Sequence, residues 1–209
     1  MDNTMKTSFI KLIVLFTFLT LPYSSNAQTT SADNVSPSIY LKGVSSQLLA
    51  EIKQNKKELV TDTKLAEKLV RNNLLPAIDT QGFAKRTIGK KAWTSATDTQ
   101  KTRFVNAFIQ IVINSYAKGL ALYDGQTFKF SDPILSKSGK YAQVRSSMAQ
   151  TGSTPIVIDY KLSNKSGNWK IIDLTIEGVS MIKSYKSQFS LTLAKLGLEK
   201  FIVDLESKS

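Results

Sequence analysis

The first half of the chain places its apolar residues at the spacing of α-helices. They recur three and four positions apart over residues 36–55, 62–76 and 80–88, where Pro37 stands at a typical helix start. The third of these stretches is followed by Gly89, which favours an end to the helix. The pattern therefore predicts three amphipathic helices, each with one face directed at a core.

The stretch 97–123 predicts the most deeply buried helix. Thr97 and Gln100 have the spacing of a capping box, in which the two side chains satisfy backbone groups at the helix start. Apolar side chains cover most of the circumference that follows. The polar positions form one narrow stripe of Asn106, Gln110, Asn114 and Lys118. Such a helix is either a central core helix or one wall of a ligand cavity.

The period changes from helical to alternating after residue 125. Four strands are predicted, at residues 127–130, 141–149, 156–162 and 169–176, with glycine and asparagine at the turns between them. A last helical pattern, over residues 191–205, closes the chain. Helices followed by an antiparallel meander predict an α+β fold, with the N-terminal helices packed on one face of a curved four-stranded sheet.

The fourth strand leads directly into a helix, and we interpret the two as the wall and lip of an apolar cavity. Residues 169–176 carry apolar side chains in both alternating sets, which predicts a strand covered on both faces. Glu177-Gly178 interrupts the strand, and helical spacing begins at Val179. Met181 and Tyr185 belong to this helix.

The composition excludes several kinds of chemistry. The chain of 209 residues contains neither cysteine nor histidine. Disulfides, thiol catalysis and a lipid-modified N-terminal cysteine are therefore excluded. The commonest general base and the commonest transition-metal ligand are missing too, so we expect no metal site.

Residues 1–27 have the pattern of a secretory signal peptide. Lysines precede an apolar run from Leu12 to Leu21, and small residues lead to a cleavage position after Ala27. The run is shorter than the roughly 20 residues that span a bilayer. We expect one exported domain over residues 28–209. Its partners should be anionic because the net charge is +12, and for an exported protein membrane lipid is a nearer candidate than nucleic acid.

Several short motifs occur in the order found in one known family. They are Ile88-Gly89-Lys90-Lys91-Ala92-Trp93, Gln100-Lys101-Thr102-Arg103-Phe104, Trp169-Lys170 with Asp173, and Glu177-Gly178-Val179-Ser180 followed by Tyr185, Gln188 and Phe189. Together they resemble the MlaC or toluene-tolerance family. One departure is Lys186, which stands where the family usually has an arginine.

Members of that family are periplasmic phospholipid-binding proteins, with a fold akin to the cone of nuclear transport factor 2. The resemblance implies a carrier without enzymatic activity or a cofactor, whose cargo is a diacyl phospholipid. It implies two partners: an outer-membrane complex of a lipoprotein and a porin, and an inner-membrane ABC transporter that bears an MCE-domain protein. Lipid shuttling between them would maintain the asymmetry of the outer membrane.

A carrier of a two-tailed lipid needs a deep apolar slot with few polar contacts. The candidate slot residues, each equally compatible with an ordinary core, are Phe108, Val112, Tyr116, Val144, Met148, Ile158, Tyr160, Ile171, Met181 and Tyr185. Met148 and Met181 are favoured because methionine adapts to varied shapes. Candidates for a phosphate contact at the mouth, or else solvated surface charges, are Arg145, Lys183 and Lys186.

Two other classes of function stay open at this point. An isomerase of the same cone fold could use Asp159, Tyr160 and Asp173 as buried acid and base, although Asp159 alternates onto the polar face of its strand. The basic charge also allows a binding protein of the cell envelope or of nucleic acid. We do not expect nucleic acid, because the aromatic residues coincide with apolar stripes and not with basic clusters.

Overall fold

The computed structural model describes residues 35–149, 152 and 154–209, so the predicted signal peptide lies outside the described residues. Helices occupy the first half: α1 (Pro37–Gln54), α2 (Lys56–Leu59), α3 (Thr63–Leu69), α4 (Thr80–Ser95) and α5 (Asp98–Ala121). A π-helical segment (Val70–Leu74) and a 3-10 turn (Leu75–Ala77) connect α3 to α4. Gly89 has a φ of 82°, so the predicted helix end at this residue is a sharp kink, after which α4 resumes.

The second half is a sheet followed by two closing helices. Its strands are β1 (Thr127–Phe130), β2 (Ile134–Leu135), β3 (Tyr141–Ala149), β4 (Ile156–Ser163), β5 (Lys170–Ile176) and β6 (Val179–Ser180). All pairings are antiparallel, in the order β1-β3-β4-β5-β6, and β2 also pairs with β3. The closing helices are α6 (Met181–Leu196) and α7 (Leu198–Glu206).

The predicted α+β fold is confirmed, and the sheet has six strands where four were expected. The additional strands, β2 and β6, contain two residues each. Two residues are too few to show an alternating pattern, which is why sequence reasoning missed them.

Helix α1 covers part of the inner face of the sheet. Leu41 packs there among side chains of β3, β4 and β5 that include Val144 and Leu162. Trp169, at the start of β5, is buried in the same cluster, and its indole N–H donates to the carbonyl oxygen of Val35 at 3.0 Å. The sheet and the beginning of α1 are therefore held together by both packing and a hydrogen bond.

A bulge in β5 explains its unbroken apolar run. Leu162 of β4 lies opposite Ile171, whereas Tyr160 lies opposite Leu174, so the register shifts by one residue between these pairs. Directly paired residues point to the same face of a sheet, and Ile171, Leu174 and Ile176 thus share the inner face. Residues 169–176 were predicted to be apolar on both faces of the strand. The structure instead has one apolar face, whose alternation the bulge shifts by one residue.

Candidate functional site: an apolar cavity between α5, α6 and β5

A cavity of about 190 Å³ lies between α5, α6, β5 and the segment that joins α3 to α4. Helix α5 contributes Phe108, Ile109, Val112, Ile113, Tyr116 and Leu120. The joining segment contributes Val70, Leu74, Leu75 and Ile78. The rest of the wall consists of Thr80, Phe83, Leu174, Ile176, Met181 and Tyr185. Apart from the hydroxyls of Thr80, Tyr116 and Tyr185, every side chain of the lining is apolar, as expected for a site that holds hydrocarbon.

The floor of the cavity is a cluster of aromatic rings. The ring centroid of Phe108 lies 5.0 Å from that of Tyr185, with the rings nearly perpendicular, and 5.8 Å from that of Phe189. Phe104 stacks behind Phe108 at 5.9 Å. Perpendicular and offset arrangements are the favourable ones for aromatic pairs. The floor is therefore a well-packed surface that joins α5 to α6.

Tyr116 marks the mouth. It is 48% exposed and is the one lining residue in the exposed class, whereas the other lining side chains are buried or half-buried. Its hydroxyl donates to the sulfur of Met181 at 3.5 Å, which connects α5 to α6 across the opening. Burial and the neighbouring Tyr116 raise the pKa of Tyr185 to about 12, so this phenol is neutral at physiological pH.

A tight hairpin and a buried carboxylate place α6 beside the cavity. Glu177 and Gly178 join β5 to β6 with φ values of 48° and 81°, the left-handed pair that a two-residue type I′ turn requires. The carboxylate of Asp173 accepts from the hydroxyl of Ser180 at 3.0 Å and lies 3.5 Å from the amide nitrogen of Ile182. Ser180 in turn caps α6 by accepting from the amide of Lys183 at 3.3 Å. Met181 and Tyr185 consequently reach the cavity.

Five of the ten candidate slot residues come together in this cavity: Phe108, Val112, Tyr116, Met181 and Tyr185. The other five lie outside its lining: Val144, Met148, Ile158, Tyr160 and Ile171. Of these, Val144, Tyr160 and Ile171 are buried in the cluster that includes Leu41 of α1, with Ile158 packed against it. Met148 lies at the end of β3, opposite Phe128 and Ile156. A role of any of the ten in lipid binding stays a prediction.

The three candidate phosphate contacts do not converge. Lys183 and Lys186 are exposed on α6. Arg145 lies on the outer face of the sheet, where its guanidinium makes two hydrogen bonds to the carboxylate of Asp159, at 2.7 and 3.0 Å. This carboxylate raises the pKa of Arg145, and the pairing occupies the fork that would otherwise hold a phosphate.

The groups proposed as acid and base lie apart as well. Asp159 and Tyr160 are successive residues of β4, so their side chains point to opposite faces of the sheet. Tyr160 receives a hydrogen bond from the buried Ser146 at 3.4 Å, and burial raises the pKa of its phenol. The carboxylate of Asp173 accepts a hydrogen bond from Ser180 at the start of α6. Within the described residues, histidine, cysteine and carboxylate side chains form no group of three that could hold a metal ion.

Sequence reasoning missed part of the cavity wall. Ile109, Ile113 and Leu120 follow the same helical stripe as Val112 and Tyr116, so extending the stripe at spacings of three and four would have found them. Leu174 and Ile176 were obscured by the bulge in β5, which moves them into the face of Ile171. The contribution of the π-helical segment has no local sequence signal that we recognise.

Residues 42–207 match the family described as MlaC protein. This range covers most of the chain, including every element that forms the cavity. The chain therefore belongs to the MlaC family, as the resemblance predicted.

Two curated relatives cover nearly the whole sequence. The intermembrane phospholipid transport system binding protein MlaC of Haemophilus influenzae is 25% identical over 206 residues, which span 97% of this chain and 96% of the relative. The toluene tolerance protein Ttg2D of Pseudomonas putida is 24% identical over 197 residues, or 94% of this chain and 86% of the relative.

The fold matches a solved structure. The phospholipid-binding protein of Ralstonia solanacearum, determined in complex with a phospholipid, superposes with a TM-score of 0.73 at 23% sequence identity. The match covers 82% of this chain and 99% of the other. Among the described residues of the present chain, no helix has both the length and the apolar character needed to cross a bilayer.

Proposed function

We propose that this chain is a periplasmic phospholipid carrier that has no catalytic step. Its partners would be an outer-membrane lipoprotein and porin complex and an inner-membrane ABC transporter bearing an MCE-domain protein. By moving diacyl phospholipid between them, it would maintain the lipid asymmetry of the outer membrane. Export by a signal peptide at residues 1–27 and a single lipid-binding domain over residues 28–209 belong to the same proposal.

The observation that carries the proposal is the apolar cavity, whose most exposed lining residue is Tyr116. A cavity lined by hydrocarbon and aromatic side chains favours a ligand with long apolar chains, because each buried methylene contributes about 0.8 kcal/mol. The names of the Haemophilus influenzae relative and of the solved structure both refer to phospholipid, which is consistent with such a cargo.

The cavity must widen to accept this cargo. Its volume of about 190 Å³ is below the roughly 300–1,000 Å³ of pockets that hold drug-sized ligands, and a diacyl lipid is larger still. Tyr116 and Met181 connect the two helices at the mouth, so this contact should break as α5 and α6 separate. Half-buried lining residues such as Val112 and Met181 are then available to line the enlarged space.

The phosphate would lie outside the apolar cavity. Lys183 and Lys186 of α6 are exposed and able to approach a headgroup without a fixed geometry. A lysine acts as a mobile point charge and not as a bidentate fork, so headgroup selectivity should be weak. Selectivity should instead follow the length and shape of the acyl chains.

The test is transfer of a fluorescent phospholipid from donor to acceptor vesicles by the purified protein. Val112→Trp places a large ring in the cavity wall and should reduce transfer about 10-fold or more, since overpacking blocks the space that the acyl chains need. The matched control is Val203→Trp, the same exchange at a side chain of α7 that is exposed to solvent. It should transfer lipid at the wild-type rate.

Two results would count against the carrier proposal. One is a wild-type protein that does not accelerate transfer over vesicles alone. The other is a Val112→Trp protein that remains folded by circular dichroism and transfers lipid as fast as the control.

A further inference from the structure

A second apolar surface lies on the edge of the sheet formed by β2, outside the cavity lining. We call it the basic corner and define it as residues 134–141 together with residues 161–165. Ile134 and Leu135 of β2 are 71% and 54% exposed, and Tyr141 at the start of β3 is also exposed. Tyr141 pairs with Ser163, which brings the two stretches of the corner side by side. Neighbouring exposed apolar side chains on a sheet edge indicate a contact surface.

The same corner carries a concentration of unneutralised positive charge. Lys137, Lys140, Lys161 and Lys165 are exposed, and none of them takes part in an ion pair among the described residues. The ammonium group of Lys165 lies 5.1 Å from the ring centroid of Tyr141. Lys161 lies in the same row of the sheet as Ile134, since both residues pair with Gln143, so lysines neighbour the apolar side chains of the corner.

Acidic residues are sparse in the sequence around the corner, where Asp132, Asp159 and Asp173 lie at the borders of two stretches that have none. Neither residues 133–158 nor residues 160–172 include an aspartate or a glutamate. Asp159, which separates the two stretches, is bound by Arg145. The electrostatic potential should therefore be positive around Lys137, Lys140 and Lys165, whereas Lys161 lies opposite the buried Asp173 in the pairing of β4 with β5.

We propose that the basic corner docks the protein on the surface of an anionic lipid bilayer. The edge strand β2 would enter the headgroup region, with Ile134, opposite Gln143, on one side and Leu135, opposite Ala142, on the other, while the neighbouring lysines contact lipid phosphates. Lysine is a flexible point charge suited to a mobile layer of phosphates, whereas a fixed carboxylate on a protein partner favours the fork of arginine. The arginine in this region, Arg145, is already paired with Asp159, which favours a bilayer over an acidic protein.

Docking would leave the cavity mouth free. The corner meets β5 where Ser163 pairs with Lys170 and Lys161 pairs with Asp173, whereas Tyr116, which marks the mouth, belongs to α5. No residue of the corner lines the cavity. The carrier would be retained at a leaflet by the corner, and the residues that line its cavity would not take part in that contact. This inference goes beyond the proposed function and does not depend on which partner loads the lipid.

The experiment is sedimentation of the purified protein with vesicles, either of phosphatidylcholine alone or of equal parts phosphatidylcholine and phosphatidylglycerol, at low salt. The wild type should bind the anionic vesicles and not the neutral ones. The double variant Lys137→Gln/Lys140→Gln should bind about 30-fold more weakly, the effect of two lysines near an anionic surface. Ile134→Ser/Leu135→Ser should also weaken binding, with the charge unchanged.

Matched controls separate the corner from net charge and general surface apolarity. Lys53→Gln/Lys57→Gln removes two exposed lysines elsewhere, and Leu191→Ser removes an exposed leucine of α6. Both should bind anionic vesicles like the wild type. The proposal is overturned if the wild type does not bind anionic vesicles or if the Lys137→Gln/Lys140→Gln variant binds them as well as the wild type. It is also overturned if the control Lys53→Gln/Lys57→Gln loses as much vesicle binding as the corner variant. Native mass spectrometry of each variant tests cargo separately, because a corner variant should keep any bound phospholipid.

Discussion

The hydroxyl of Tyr116 donates to the sulfur of Met181 at 3.5 Å, and this contact joins α5 to α6 across the mouth of the cavity. The cavity of about 190 Å³ is smaller than pockets that hold drug-sized ligands, so under the proposed carrier function the helices would separate at this contact to admit a diacyl lipid. The contact is a weak hydrogen bond to sulfur at an exposed position, which suits a joint that opens repeatedly.

Tyr116→Phe should speed lipid exchange. The substitution keeps the ring and removes the hydroxyl, so the mouth opens without breaking a hydrogen bond that contributes about 0.5–1 kcal/mol. Transfer between vesicles should become about 2- to 5-fold faster. Tyr123→Phe, which removes a hydroxyl outside the cavity lining, is the control and should leave the rate unchanged. Equal rates for both variants would show that the contact does not limit opening.

Two glycine-to-alanine substitutions should change stability in opposite directions. Gly178 has a φ of 81° in the turn that leads to α6, so Gly178→Ala should lower the free energy of unfolding by about 1–2 kcal/mol. Gly119 lies inside α5, and a β-carbon there would meet no other atom within 4 Å. Gly119→Ala should raise stability by about 0.5–1 kcal/mol. Urea unfolding measures the stability of both variants. A Gly119→Ala protein that is less stable than the wild type would contradict the placement of Gly119 in a helix with space for a β-carbon.

Asp173 and Asp159 should differ in their importance for stability. Asp173 is buried and supports the start of α6, so Asp173→Ala should cost about 1–3 kcal/mol because it leaves Ser180 and the amide of Ile182 without their acceptor. Asp159 forms an exposed ion pair with Arg145, so Asp159→Ala should cost less than about 1 kcal/mol. Chemical denaturation should give this order. Similar losses for the two variants would contradict the structural role assigned to Asp173.

The ion pairs of Arg103 on α5 with Glu199 and Glu206 on α7 should make the free energy of unfolding depend on pH in the acidic range. Gln100 and Arg103 lower the pKa of Glu199, and Arg103 lowers the pKa of Glu206. A carboxylate whose pKa is lower in the folded state contributes stability above the unfolded value of about 4.3, and this contribution is lost as the pH falls through the folded value. Arg103→Gln should therefore be less stable than the wild type at pH 7, with the difference shrinking below about pH 4. A difference that is constant from pH 7 to pH 3 would contradict this assignment.

The sequence predicted the helices and strands that are long enough for their periodicity to be recognised. The capping box at Thr97 and Gln100 forms as expected, and β1 and β3 have the predicted bounds. The two-residue strands were missed because alternation needs more positions than they have. Helix α6 begins at Met181, two residues after the onset of helical spacing, because Val179 and Ser180 pair with β5 first.

The cavity was harder to predict than the fold, because core and cavity residues have the same periodicity. In the sequence, Tyr160 and Tyr116 both lie among apolar residues at regular spacing. In the structure, α1 packs over the region of Tyr160, whereas Tyr116 lies at the opening of the cavity. Which part of the inner face stays uncovered depends on where α1 packs, and no local pattern encodes this. The bulge in β5 added a second uncertainty, since it changed which side chains of that strand face inward.

The most direct test of the carrier proposal is mass spectrometry of the protein purified from its own host. Native spectra give the bound mass, and organic extraction followed by denaturing analysis identifies it. The account predicts diacyl phospholipid at close to one molecule per chain, and a lower occupancy in Val112→Trp. A protein that carries no lipid, and takes up none from vesicles, would contradict the proposal that the cavity between α5, α6 and β5 holds a phospholipid.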